Sequence, residues 1–148
     1  MYICRWFVLC ETVVVDRSSN NLTMVNALTE LQAFSFPALH PRFAFASLLE
    51  KQGESEGPLS LRFVREMESG DEVLLKSENN IEKPPRVQFC VNFMPGIRLL
   101  NVGTVTFRVE VREGDADWYT AGSQSIQVSL ATQQKDASSN ENESANHK

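Results

Sequence analysis

The sequence is short of the residues from which metal centres, nucleic-acid surfaces and membrane spans are built. Its 148 residues include only two histidines, His40 and His147, and three cysteines, Cys4, Cys10 and Cys90, with no CxxC pair. No histidine or other cysteine lies within four residues of Cys90. A zinc site gathers four such ligands at short spacings, so no metal and no cofactor is expected. Basic residues are also scarce: Lys and Arg number 14 against 19 Asp and Glu, a net charge of -5, and they form no cluster. Binding along a phosphate backbone depends on clustered cations, so nucleic acid is not an expected partner. No apolar run approaches the roughly 20 residues of a membrane helix.

Residues Tyr2 to Val15 are apolar, but Arg5 and Glu11 interrupt them, and Leu9 is too bulky for a lipoprotein cleavage site before Cys10. They are expected to form a strand rather than a secretory leader, in a soluble cytoplasmic protein. On such a strand Cys4 and Cys10 stand about 20 Å apart at roughly 3.3 Å per residue, too far to bridge. A bridge from Cys90 to either stays open, although the odd count and patternless spacing favour reduced thiols. The sequons at Asn21 and Asn142 read as chance matches.

What the chain does contain is alternation. In Gly103 to Arg112, Val105, Phe107, Val109 and Val111 share one face, and Thr104, Thr106, Arg108, Glu110 and Arg112 the other. A period of two marks a strand with one face in water. It recurs at Leu59, Leu61 and Phe63, at Val87, Phe89, Val91 and Phe93, and at Ile126, Val128 and Leu130. Phe43 and Phe45 likewise oppose Ala44 and Ala46. The opening strand is apolar on both faces, which suits a central strand or one covered by a partner.

Turn composition separates these segments. Asp16 to Asn21 predicts a hairpin turn into a second strand, Leu22 to Leu28. Phe36-Pro-Ala-Leu-His-Pro41 predicts a rigid extended connection, since each proline restricts the residue before it. Further turns are expected at residues 52–58, 69–71, 95–96 and 113–117, while Thr29 to Phe36 fits neither period. From Thr132 to Lys148 no aromatic or branched apolar residue remains, so a disordered tail is predicted after a domain of residues 1–131. A body of that length buries roughly two-thirds of its unfolded surface, enough for one core. The fold class expected is all-β: a two-sheet antiparallel β-sandwich of about eight strands, immunoglobulin-like or C2-like.

Three elements together resemble a family of small uncharacterised bacterial proteins known only as a domain of unknown function. They are the opening hairpin ending in Leu22-Thr-Met-Val25, the Phe36-Pro-x-x-His-Pro41 passage and the late strand from Gly103 to Phe107. The resemblance spans Tyr2 to Leu130 and implies an immunoglobulin-like or similar sandwich in a bacterial cytoplasm. It implies no activity, ligand or catalytic residue.

Each remaining constellation has a bland reading beside a functional one. His40 is the only plausible general base, and Gly122-Ser123 lacks the flanks of a nucleophile elbow, so a structural turn histidine is favoured over an enzyme using His40. Glu113, Asp115 and Asp117, joined by Asp71 and Glu72, could ligate calcium as C2-type loops do, but Gly and Asp at a hairpin tip are ordinary turn chemistry. Trp118 and Tyr119 could stack on a sugar, or cover the core. Arg62, Arg86 and Arg108 all fall on polar sides of their strands. If those strands were neighbours they would make a basic stripe, whereas solvated arginines paired with Glu66 and Glu110 need no function. Cys90, opposite the aromatic row, is expected to be the most reachable thiol. By elimination, the expectation is a non-enzymatic module that binds a protein partner or self-associates through an edge strand or a polar sheet face, with no catalytic, cofactor or metal residues.

Overall fold

The computed structural model describes residues 1–54, 57–79 and 84–132. Among them are eleven strands and no helix: β1 (Tyr2–Val15), β2 (Leu22–Ala27), β3 (Glu30–Ala33), β4 (Ala38–His40), β5 (Phe43–Lys51), β6 (Leu59–Arg65), β7 (Glu72–Asn79), β8 (Val87–Met94), β9 (Ile97–Leu99), β10 (Gly103–Glu113) and β11 (Tyr119–Leu130). They form a four-stranded sheet in the order β2-β1-β5-β8, a five-stranded sheet in the order β3-β11-β10-β6-β7, and a small β4-β9 pair. The expected tail, Thr132 aside, lies outside the described residues.

The strand count exceeds the eight expected because β3, β4 and β9 are only three or four residues long, too short to display a period. The sheets are not purely antiparallel either. The stretch of unclear period, Thr29 to Phe36, contains β3, which runs parallel to β11 with Leu31 opposite Val128.

The two larger sheets lie face to face over one aromatic core. From the four-stranded sheet come Tyr2, Phe7, Leu9, Phe43, Phe45 and Leu49, and from the five-stranded sheet Leu61, Phe63, Phe107, Val109, Val111 and Ile126. Phe45 of β5 stacks on Phe63 of β6 with ring centroids 4.9 Å apart, so the sheets meet ring on ring. Gly122 of β11 marks a close approach: a Cβ there would come 2.7 Å from the Cβ of Cys4. Gln124 joins the sheets by polar contacts, accepting the Leu9 N–H at 2.8 Å and donating to the Leu28 carbonyl at 3.0 Å.

The opening strand is apolar on both sides because each side meets an apolar cluster, and a β-bulge near its start changes which residues face which. The β1–β5 register shifts between Cys4, opposite Leu49, and Trp6, opposite Leu48, so Arg5 is an extra residue. Tyr2 and Cys4 therefore share the interior with Phe7 and Leu9, while Trp6 and Val8 turn outward.

The expected turn after β1 is present. Asp16 Oδ1 accepts the Ser18 N–H at 2.8 Å and the Ser18 hydroxyl at 2.7 Å, and Asn20 sits at φ 57°, a left-handed conformation that asparagine tolerates. Hydrogen bonds from Ser18, then Ser19, hold the Asp16 carboxyl down at about 2. Because this pKa is depressed, its stabilisation is fully present above the ordinary value of 3.8 and is lost as pH falls toward 2. Ser18→Ala is expected to move the Asp16 titration up toward 3.8, read by carboxyl NMR. An unchanged titration would contradict this cause.

Candidate interaction surface

The four-stranded sheet carries a second apolar cluster on the side facing away from the core. Cys10, Val13, Ala44 and Ala46 are buried there beneath Trp6, Val8, Leu22 and Val91. Beside them Val87, Phe89 and Phe93 of β8 are exposed at 46%, 49% and 44%. Trp6 and Phe89 lie 6.1 Å apart, and the Arg42 guanidinium sits 4.8 Å from the Phe93 ring. The row Val87, Phe89, Val91 and Phe93 thus alternates as the sequence indicates, but its large side chains turn outward. Exposed aromatic area of this kind is characteristic of interaction surfaces.

This orientation overturns the expectation for Cys90. The thiol points into the core and is 6% exposed, and burial pushes its pKa up to about 11, with Ser47 opposing. Cys10 is buried as well, and Cys4, half-buried, gives its Sγ to the Trp6 carbonyl at 2.9 Å; burial raises both of these thiols too. All three cysteines are free. Thiolates are the reactive species, so a disulfide reagent at pH 8 is expected to label the native protein slowly and the urea-unfolded protein quickly at all three positions. Rapid labelling of native Cys90 would contradict its placement.

The outer side of the five-stranded sheet has the opposite character. Arg62 of β6 and Glu110 of β10 are register partners and form an ion pair. Arg108 donates to Glu110 at 2.9 Å, to Glu66 at 2.7 Å and to Asp71. Burial works against the charge of Arg108, yet these three carboxylates raise its pKa above the ordinary value. Arg62 and Arg112 also lie 4.5 and 4.9 Å from the ring of Trp118. Arg62 and Arg108 do share a face, but Arg86 lies just before β8, beside the other sheet and 3.8 Å from Glu50. The three arginines therefore make no stripe, and two of them are held by the very carboxylates, Glu66 and Glu110, that the alternation suggests.

The remaining candidates are scattered. Asp71 is tied to Arg108, Glu72 to Arg65, and Glu113 to the Tyr119 hydroxyl at 2.8 Å, while Asp115 and Asp117 are exposed. No group of three His, Cys, Asp or Glu able to hold a metal occurs among the described residues. Trp118 covers no core, being stacked by arginines, and the Tyr119 oxygen accepts the Tyr2 N–H at 2.6 Å. His40 packs on Phe43 with ring centroids 5.8 Å apart and borders an open depression of about 290 Å³ with Gln32, Ser35 and Leu99. Burial lowers its pKa, with Glu11 opposing, so the ring is neutral at pH 7. Its Nε2 is buried without a hydrogen-bond partner, and Ser123 lies on β11 in a different sheet.

The fold and its faces thus define an all-β, two-layer domain with a charged side and an apolar side. Residues 5–138 match the family of unknown function DUF6941, and the chain belongs to that family. No curated protein matches the chain.

Proposed function

We propose that this protein is a non-enzymatic interaction module of the bacterial cytoplasm, an immunoglobulin-like sandwich that engages a protein through the outer face of its four-stranded sheet. One observation carries the reading: Trp6, Val87, Phe89, Val91 and Phe93 form an apolar row on a face that no described segment covers. Leaving three half-exposed residues of this size on one strand forgoes burial worth about 1 kcal/mol or more for each, and a docked partner would recover it. The three free thiols agree with a reducing compartment.

The sequence favours an edge strand or a polar face for contact; the apolar face is the stronger choice, because the polar one is internally paired through Glu110 and Arg108. The calcium alternative would have to free Asp71 from Arg108. The test compares proteins retained from a host extract by the wild-type chain and by Phe93→Asp. A partner retained by the first and lost by the second supports the reading, and identical retention by both overturns it.

A further inference from the structure

We propose that the partner is a second copy of the chain, joined edge to edge through β8 about a two-fold axis at Val91, so that the apolar rows of the two copies meet as cross-strand neighbours. The inference rests on the interaction reading above and supplies its partner. β8 ends the four-stranded sheet, so among the described residues one of its backbone edges is without a strand neighbour. The Lys51 N–H donates to the Arg86 carbonyl at 2.7 Å, which makes residues 51 and 86 a hydrogen-bonded pair. Antiparallel pairs alternate, and the β5–β8 register runs without a shift from Glu50 opposite Val87 to Phe43 opposite Met94. Gln88, Cys90, Asn92 and Met94 therefore turn their amides and carbonyls toward β5, and Val87, Phe89, Val91 and Phe93 turn theirs to the free edge. The residues with apolar side chains on the outer face are those whose backbone has no strand partner among the described residues.

The other edges are guarded and β8 is not. β7 carries Glu72, Lys76 and Glu78 in its sequence, β3 has four residues, and β2 is distorted at Asn26, whose φ is 53°. β8 holds eight residues with neither a charge nor a proline, the composition of an edge open to strand addition. Antiparallel pairing centred on Val91 sets Val91 against itself and Phe89 against Phe93 of the second copy, all as hydrogen-bonded pairs on the outer face. Arg86 then falls opposite Gly96, so no like charges meet. Each Phe89, already beside Trp6, would gain a Phe93 that Arg42 covers, joining the two apolar rows into one.

Sedimentation of the full chain over a hundredfold concentration range tests this, with two variants that keep the fold because both phenylalanines are about half exposed. The wild type is expected to show a reversible monomer–dimer equilibrium. Phe89→Lys with Phe93→Lys puts like charges across the axis and is expected to weaken the dimer about tenfold or more. Phe89→Lys with Phe93→Glu sets each lysine against a glutamate of the second copy and is expected to fall between that variant and the wild type. Equal loss in both variants would overturn the Val91 register. A wild type that stays monomeric overturns the second copy. If that monomer still loses a host partner on Phe93→Asp, the interaction reading stands without it; if no partner depends on Phe93, both fall.

Discussion

Phe45→Ala is expected to lower the unfolding free energy by about 3–5 kcal/mol, the range for truncating a buried phenylalanine. Phe45 is fully buried, and its ring touches four others: Phe63 at 4.9 Å, Phe43 at 5.2 Å, Phe7 at 5.8 Å and Phe107 at 5.9 Å between centroids. Two of these partners belong to its own sheet and two to the facing sheet, so the truncation removes interlayer contact as well as volume. Aromatic pairs add about 0.5–1.5 kcal/mol beyond area burial, which places this site toward the upper end. Against a typical stability of about 5–15 kcal/mol, the variant retains a small reserve. Urea unfolding should show a lower midpoint at unchanged slope. Phe89→Ala is the control: with half its surface already in water, it should cost only about 1 kcal/mol. Equal losses at the two positions would mean that the inside and outside of this sheet are misassigned.

Glu110→Ala is expected to cost about 2–4 kcal/mol, because it leaves two partly buried guanidiniums without their shared carboxylate. The Glu110 side chain is 7% exposed, and it accepts from Arg62 through one oxygen and from Arg108 at 2.9 Å through the other. Arg108 keeps Glu66 and Asp71, which holds the loss below that of a fully orphaned buried charge. Those two carboxylates are nearly half exposed, so Glu66→Ala should cost under about 1 kcal/mol. A double-mutant cycle between Arg62 and Glu110, followed by urea unfolding, should give a coupling of about 1 kcal/mol or more. Additive losses would show that the pair is solvated rather than buried.

Alternation exposed the β architecture from the sequence because the period of two survives through most of the longer strands, although bulges change its phase at Arg5 in β1, Leu74 in β7 and Ala121 in β11. Facing was harder to read. In β10 the apolar row goes inward and the charged row outward, as simple amphipathic logic expects. In β8 the same logic fails: Phe89 and Phe93 look like core residues, yet they face out while Cys90 and Met94 face in. A period fixes which residues share a face but not which face is covered. That depends on the opposing sheet, whose rings from β6 and β10 already fill the interior. The clue lay in β5 and β1, where Ala44 and Ala46 oppose phenylalanines and both sides of the opening strand are apolar, the pattern of a sheet meant to be covered twice. The arginine pairs were legible in part, since Glu66 and Glu110 could be named, but the separation of Arg86 required the strand order.

Amide hydrogen exchange along β8 at low protein concentration tests the central claim, a free edge lined by apolar side chains, most directly. The amides of Gln88, Cys90 and Asn92, bonded to β5, should exchange slowly, and those of Phe89, Val91 and Phe93 near the rate of solvated backbone. Uniform protection across these six residues would mean that the edge is already occupied, and β8 could not accept a further strand.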